Sequence, residues 1–154
     1  AGGGSSARGT GRAGPQERVD RFPADKWETM TGVAVLTRIF CGADKEDEFV
    51  KKGADLCLKS VPVWDEAAGT IDFYYWYYGT LGMFQVGGDD WKKWNDGMKK
   101  AVVDSQRQDK NDDRWGSWDA VHPWAQDGGR VYGTATNVMC LEVYYRYARV
   151  FGTK

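Results

Sequence analysis

The residues in this sequence that are best suited to chemistry cluster around a lone histidine. His122 stands in "WDAVHPWAQDGG", with Asp119 and Asp127 on either side. Zinc accepts nitrogen and carboxylate ligands of this kind, and cysteine is a common further ligand. Cys140, however, lies well inside the next predicted helix, and a single histidine beside a proline is typical of a loop residue with one bonded nitrogen. We therefore predict no metal site and no cofactor.

The three cysteines are too far apart to form a recognisable motif. Cys41, Cys57 and Cys140 lie in stretches with a helical pattern, and no Cys-x-x-Cys spacing occurs. Cysteines placed in this way are usually small buried hydrophobic residues with free thiols. A disulfide between two of them stays open as an alternative for an exported protein, and the sequence leaves the compartment undetermined.

Aromatic side chains are the second group of residues that could bind a ligand. The chain holds eight Trp, eight Tyr and six Phe. They are densest in "IDFYYWYYGTLGMFQVGGDDW", residues 71–91. Ring faces attract cations and stack on sugar rings, although most aromatic residues in a small domain form its core. We assign a candidate ligand-binding role to polar and aromatic residues near two predicted helix starts: Asp72, Tyr75, Trp76, His122, Trp124, Arg130 and Tyr132.

The charge and hydropathy patterns exclude two classes of partner. The chain has 21 basic and 22 acidic residues spread along its length, which predicts no nucleic-acid surface. Its longest apolar run, residues 73–78, is far shorter than the roughly 20 residues that cross a membrane. We therefore expect neither nucleic-acid binding nor a transmembrane segment.

The chain divides into a tail and one domain. Residues 1–14, "AGGGSSARGTGRAG", have almost nothing to bury and cannot offset the entropy of ordering themselves. We predict a flexible tail and lead-in over residues 1–25 and a helical repeat domain over residues 26–154.

Three segments of this domain have helical length and are apolar on nearly every side. They cover residues 27–41, 71–86 and 130–150. A helix that is apolar all round is buried all round, so we predict inner helices that are covered on every face. The middle segment contains strand-favouring aromatic residues, but it lacks strict alternation and is longer than a usual strand.

Two amphipathic segments, residues 46–60 and 89–106, alternate with the inner ones. Each carries one apolar stripe opposite a charged face, which predicts an outer helix. Both begin with an acidic pair, Glu46-Asp47 and Asp89-Asp90, which we expect to cap free amides and to complement the helix dipole. The sequence therefore predicts an all-α domain of alternating inner and outer helices.

The inner segments share a local pattern of a threonine beside small residues. Thr31, Thr80 and Thr134 recur at intervals of 49 and 54 residues. A period near 50 residues that contains one helical hairpin predicts an α/α solenoid or toroid. The small residues next to each threonine are expected to let neighbouring inner helices approach closely.

The stretch "KAVVDSQRQDKNDDRWGSWD" resembles a known repeat motif. Its Gln106, Gly116 and Trp118 are similar to the QW motif of the squalene-hopene cyclases and oxidosqualene cyclases, whose α/α toroid is shared with protein prenyltransferase β subunits. The resemblance implies a structural staple, in which the Gln amide bonds to a turn and the Trp stacks on the Gln. The charged insert at residues 109–114 departs from the motif and predicts a loop instead of a tight turn.

The resemblance gives the fold more clearly than an activity. A squalene-type cyclase needs an Asp-x-Asp-Asp acid, whereas this chain has only the doublets Asp89-Asp90 and Asp112-Asp113, the second of which we interpret as a solvated loop. We therefore assign no catalytic residue and predict a non-catalytic α/α-toroid module for binding or scaffolding. The alternatives are part of a terpenoid cyclase or prenyltransferase-like enzyme whose acid or metal lies elsewhere, and a polysaccharide-recognising toroid.

Five helices make a shorter arc than a closed toroid. Such an arc leaves inner-helix faces uncovered, which predicts self-association or a protein partner, or a fragment of a longer protein. The ligands that the resemblance implies are an isoprenoid or a glycan.

Overall fold

The computed structural model describes residues 28–147, and that part of the chain is helical with no strand. The all-α prediction is therefore confirmed. The helices are α1 Thr29–Phe40, α2 Glu48–Lys59, α3 Phe73–Val86, α4 Gly88–Asp104, α5 Ala125–Leu141 and α6 Val143–Arg146. The predicted tail, residues 1–25, and the end of the last predicted inner helix lie outside the described residues. No described helix is long and apolar enough to cross a membrane.

Helix α3 is the centre of the fold. It packs most extensively on α1, and also on α2, α4 and α5. Ten of its 14 residues are buried, as expected for a helix that is apolar on every side. Asp72 caps its start by accepting a hydrogen bond from the Tyr75 amide at 3.3 Å. Gly87, at φ 75°, ends it and leads directly into α4.

Glycines allow the inner helices to lie close together. A Cβ added to Gly32 of α1 would lie 3.2 Å from the Gly79 backbone nitrogen of α3. A Cβ added to Gly79 would lie 2.5 Å from the Trp94 ring of α4, and one on Gly133 of α5 would lie 3.0 Å from the Phe73 ring. Any side chain at these positions would therefore push two helices apart.

The three repeated threonines each make a hydrogen bond, but with different partners. Thr80 accepts from the Trp94 indole nitrogen at 3.0 Å, and Thr134 accepts from the Trp118 backbone nitrogen at 3.3 Å. Thr31 instead donates to the nearby Glu28 carboxylate. The Thr80 hydroxyl therefore lies at the contact of α3 with α4, the Thr134 hydroxyl holds the loop before α5, and the Thr31 hydroxyl bonds within its own helix start.

The prediction that α1 and α5 are buried on every face is wrong. Val131 is 82% exposed and Phe40 is 57% exposed, and Val138 also reaches solvent. The reason is position: α1 and α5 each pack against α3 on one side, and they share no extensive contact with each other. The predicted 130–150 helix is also interrupted, because α5 ends at Leu141 and the short α6 follows.

The two outer helices begin in different ways. Asp47 is the N-cap of α2 and accepts hydrogen bonds from the Phe49 and Val50 amides at 2.9 and 3.1 Å. The N-cap of α4 is Gly87, without a side-chain cap, so the predicted capping role of Asp89-Asp90 is wrong. Because Gly87 turns the chain immediately after α3, both carboxylates already lie in the first turn, where they complement the helix dipole.

The segment with the QW-like motif closes a loop between α4 and α5. The Gln106 side-chain amide donates to the Gly116 carbonyl at 2.8 Å, and the Trp118 indole nitrogen donates to the Val102 carbonyl at 2.7 Å. Two backbone hydrogen bonds, from Gly116 to Arg107 and from Arg107 to Ser117, pair the ends of the loop. The charged insert therefore forms a loop whose base is tied to the end of α4.

Candidate functional site

The best candidate site is a pocket between the first turn of α3 and the start of α5. It has a volume of about 410 Å³, is open to solvent and is mostly apolar. Its lining residues, which define what we call the α3–α5 pocket, are Tyr74, Trp124, Asp127, Gly128 and Tyr132. An apolar concave surface with one or two polar groups is the usual form of a small-molecule site.

Two consecutive glycines, Gly128 of the pocket lining and the adjacent Gly129, shape the backbone between Trp124 and Tyr132. Gly129 has φ 55° and ψ −157°, which is a backbone conformation that residues other than glycine rarely adopt. Gly129 divides α5 into a short first turn and a long second part. The first turn is closed by a hydrogen bond of 2.8 Å from the Gly128 amide to the Trp124 carbonyl. A Cβ on Gly128 would lie 2.5 Å from the Tyr132 Cβ. The two glycines therefore allow Tyr132 to lie against the turn that carries Trp124.

A chain of packed rings supports the pocket from behind. Tyr132 contacts His122 with ring centroids 5.2 Å apart, and His122 contacts Phe73 at 4.7 Å. Phe73 in turn contacts Trp76 at 5.4 Å and Trp64 at 5.7 Å. Such tilted and edge-to-face pairs are favourable contacts that hold each ring in one orientation. One wall of the pocket is thus part of the core.

His122 acts within this ring chain as a positioning residue. It is only 2% exposed, and its Nδ1 accepts a hydrogen bond from the Trp124 backbone nitrogen at 3.1 Å. A neutral imidazole whose Nδ1 accepts carries its proton on Nε2. His122 therefore fixes the backbone at Trp124, and it does not line the pocket.

Asp72 lies behind the pocket and influences its tyrosines. The carboxylate is 1% exposed and accepts from the Thr29 hydroxyl at 3.1 Å. Burial, followed by the charge of Asp72, raises the pKa of Tyr132 to about 12. Burial first, and then Tyr78 and Asp72, also raise the pKa of Tyr74. Both phenols are therefore protonated at neutral pH.

The structure brings together two of the predicted ligand-binding residues, Trp124 and Tyr132. Tyr75 and Trp76 are completely buried, and the Tyr75 hydroxyl donates to the Cys57 carbonyl at 3.2 Å. These two residues belong to the core and do not reach the pocket, because they face the neighbouring helices. As described above, Asp72 and His122 lie behind the pocket.

Arg130, the last of the predicted set, has a structural partner. It forms an ion pair with Asp119 and donates to the Ser117 hydroxyl at 2.9 Å. Asp119 also pairs with Arg107 at 2.6 Å. Burial acts to raise the pKa of Asp119, but the hydrogen bonds from the two guanidinium groups outweigh it and lower that pKa. Arg130 therefore ties the loop before α5 to the helix.

Sequence reasoning missed Tyr74 and Gly128, and it considered Asp127 only as a metal ligand. Tyr74 lies one turn before Tyr78, and their rings pack with centroids 4.7 Å apart. Both are half-buried, as is Tyr77, whereas Phe73, Tyr75 and Trp76 are buried. The available signal for the other residues was the Asp-Gly-Gly sequence ahead of Tyr132, because paired glycines indicate an unusual backbone turn.

The surroundings of the possible metal ligands do not favour a metal ion. No group of three or more His, Cys, Asp or Glu side chains suited to a metal occurs within residues 28–147. Asp119 is held by two arginines, and His122 uses Nδ1 for a backbone hydrogen bond. These are the interactions expected of structural residues.

The thiols are free, but only two of them are buried as predicted. Cys57 and Cys140 are buried, whereas Cys41, at the end of α1, is exposed. Burial raises the pKa of the Cys57 and Cys140 thiols to about 12. Since the thiolate is the nucleophilic form, these two cysteines are inert at neutral pH.

Comparison of this chain with protein-family models, with curated proteins and with solved structures finds no match. The geometry of the α3–α5 pocket therefore carries the functional argument.

Proposed function

We propose that this chain is a non-catalytic helical binding module and that the α3–α5 pocket holds its ligand. The observation that carries the proposal is the meeting of Tyr74, Trp124 and Tyr132 around a mostly apolar space of about 410 Å³. Aromatic side chains supply a large contact area that loses little conformational entropy on binding. The ligand is a small molecule or a side chain with an apolar body.

The chemistry near the pocket supports binding over catalysis. Efficient general acids and bases have pKa values near the working pH, whereas burial raises the pKa of Tyr132 to about 12. The nearby imidazole of His122 is buried behind the wall and bonded to the backbone. The side chains that line the pocket therefore suit recognition.

The binding proposal is tested by titrating the full chain with small ring-bearing and isoprenoid compounds and following the tryptophan indole N–H signals by NMR. We expect the Trp124 signal to shift for at least one compound, and Trp124→Ala to abolish that binding. Trp115→Ala is the matched control, because Trp115 is 55% exposed and does not line the pocket. Titrations that leave the Trp124 signal unchanged for all compounds, glycans included, would overturn the proposal.

We also propose that the helices form an arc of the α/α-toroid type that the QW-like motif implies. Support comes from α3 lying between α1 and α5, and from α2 and α4 packing beside that row. The Gln106 hydrogen bond to the Gly116 carbonyl has the stapling role that the resemblance implies. Nuclear Overhauser contacts between α1 and α5 along their whole length would contradict the arc.

A second candidate function is self-association through the outer face of α5. Val131, Ala135 and Val138 are exposed at the spacing i, i+4, i+7, which places them on one stripe of the helix. A stripe of this kind fits the same stripe of a second copy, because a two-fold dimer needs a surface that is complementary to itself.

Light scattering over a range of concentrations tests the dimer. We expect Val131→Glu together with Val138→Glu to give a monomer, while Val103→Glu, on the exposed side of α4, leaves the dimer intact. A wild-type chain that is monomeric at every concentration rejects the dimer and leaves a different protein as the occupant of this face.

A further inference from the structure

We infer that this chain associates head to tail, with an exposed stripe of α5 in one copy packed against an exposed stripe of α1 in the next copy. The α5 stripe consists of Val131, Ala135 and Val138. The α1 stripe consists of Met30, Ala34 and Thr37, which are also exposed. This contact rests on the proposed self-association through α5, and it gives α1 of the second copy, in place of a second α5, as the surface that α5 meets.

Helix α3 shows how an inner helix of this protein is covered on two opposite sides. On one side, a Cβ added to Gly82 would lie 3.5 Å from the Val35 side chain of α1. On the other side, the Phe73 ring lies 3.0 Å from a Cβ added to Gly133 of α5. Since successive residues of a helix are about 100° apart, Gly82 and Phe73 point in opposite directions. Helix α3 therefore has one inner neighbour on each side.

Helices α1 and α5 lack the second neighbour. Within residues 28–147, α3 is the one inner helix that packs extensively on either of them. The glycines that face α3 are Gly32 in α1 and Gly133 in α5. Each stripe occupies the same places relative to its glycine, which are two residues before it, two after it and five after it. At about 100° per residue, these places lie opposite the glycine. Both ends of the row therefore expose the side on which α3 carries its second neighbour.

The two stripes are matched in shape. Each has an alanine in the middle, between two larger side chains. A small residue at the centre of a contact lets two helices approach closely, as Gly32 and Gly79 do between α1 and α3. The α5 and α1 stripes therefore repeat, on the two ends of the molecule, the feature that joins the inner helices within it.

The polar groups on and beside the stripes already have partners. The Thr37 hydroxyl donates to the Val33 carbonyl of its own helix at 2.8 Å, so burial of the stripe leaves this donor bonded. Beside the α1 stripe, Arg38 pairs with Asp47 at 3.2 Å, and beside the α5 stripe, an ion pair with Asp119 holds Arg130. Packing the two stripes together therefore removes apolar surface from water and leaves neither arginine without its partner.

The direction of the inner helices favours α1 over a second α5 as the partner. The Thr29 hydroxyl bonds to Asp72 where α1 and α3 begin, and further along Val35 lies against Gly82. The two helices therefore run in the same direction, and the contacts of α3 with α5 and α6 follow the same order. Each inner contact thus joins one side of a helix to the opposite side of the next. A contact of α5 with α1 continues this row, whereas a contact of α5 with α5 joins like sides.

A contact between unlike surfaces has a consequence that a two-fold dimer lacks. Each copy keeps one free α5 stripe or one free α1 stripe after it has bound a neighbour, so further copies add to the ends unless the row closes into a ring. We therefore expect the average mass of the wild-type chain to rise beyond that of a dimer as the concentration increases.

The test uses two double variants of the full chain and sedimentation velocity. The α5 variant is Val131→Glu with Val138→Glu, and the α1 variant is Ala34→Glu with Thr37→Glu. Each variant alone is expected to be monomeric, with association weakened at least about tenfold, because the contact would bury carboxylates without partners. An equimolar mixture is expected to form a one-to-one heterodimer that does not grow, because each variant keeps one intact stripe. Circular dichroism checks that each variant folds, and Val103→Glu on α4 should associate like wild type.

The outcomes separate the head-to-tail contact from the two-fold dimer. An α1 variant that still dimerises alone would uphold self-association through α5 and overturn the head-to-tail contact. If both variants are monomeric alone and their mixture is monomeric as well, the two stripes do not meet each other and the inference fails. A wild-type chain that is monomeric at every concentration overturns both forms of self-association.

Discussion

Two groups of aromatic residues that are adjacent in the sequence have opposite roles in this protein. Tyr75 and Trp76 are completely buried between helices, whereas Tyr74, one position earlier, is half-buried and lines the α3–α5 pocket. All three stand in the first turn of the same helix. Since their side chains are chemically similar, the difference comes from what packs against each side of α3.

The tryptophans show the same division. Trp94 and Trp118 are buried, and each indole nitrogen donates to an internal oxygen, that of Thr80 or Val102. Trp124 lines the pocket and Trp115 is 55% exposed. The comparison shows that the fully buried, hydrogen-bonded rings belong to the core, whereas the half-buried rings Tyr74 and Trp124 line the pocket.

The largest effect on stability is expected from removing a buried ring. Trp94→Ala should lower the free energy of unfolding by about 3–5 kcal/mol, because it leaves a cavity and removes the hydrogen bond to Thr80. Urea denaturation measures the change, with Trp115→Ala as a control that should change it by less than about 0.5 kcal/mol. Equal losses in the two variants would contradict the division into core and exposed rings.

A smaller loss is expected where a glycine contacts a buried ring. Gly79→Ala should cost about 1–3 kcal/mol, because the new methyl group meets the Trp94 ring, 2.5 Å from an ideal Cβ. Trp94→Phe removes the ring atoms that clash, so the double variant should be more stable than the sum of the single changes predicts. Additive losses in denaturation would show that this contact does not limit the packing.

A still smaller loss of stability is expected from removing a polar contact in the loop before α5. Gln106→Ala should lower the free energy of unfolding by about 1 kcal/mol, because it removes the hydrogen bond to the Gly116 carbonyl. Gln108→Ala is the matched control, since that side chain is exposed two residues away. If the two variants have the same stability, Gln106 is not a staple.

The pH dependence of stability should report the ion pairs of Asp119. The pKa of Asp119 lies below its ordinary value of 3.8 in the folded state. The full stabilisation from its two ion pairs is therefore present at pH values above 3.8. This stability is lost as the pH falls through the lowered folded-state pKa. The melting temperatures of wild type and Asp119→Asn should therefore converge below about pH 4. Asp113→Asn, at a 95% exposed side chain, should stay parallel to wild type.

The smallest effect on stability is expected at the pocket. Trp124→Ala should change the free energy of unfolding by less than about 1 kcal/mol, because the pocket is open to solvent, while ligand binding is lost. Denaturation and NMR titration of the same variant test both halves of this statement. A large loss of stability in this variant would show that Trp124 belongs to the core.

Much of the helical pattern followed from the sequence. The predicted segments 27–41, 71–86 and 89–106 agree closely with α1, α3 and α4. The apolar blocks, the amphipathic stripes and the glycine punctuation are local signals, and local signals determine helix type and length well. The break at Gly129 was not predicted, although its Gly-Gly sequence was visible.

The roles of individual aromatic residues depended on the tertiary structure. Because α3 is apolar on every side, its sequence has no stripe that distinguishes Tyr74 from Tyr75. The pocket forms where that helix meets the turn containing Trp124, about 50 residues later in the chain, and it depends on a glycine backbone conformation. The sequence by itself thus determined an all-α chain rich in aromatic rings. Only the packing of α3 against α5 decided which rings line the pocket, because that choice depends on contacts between residues far apart in the sequence.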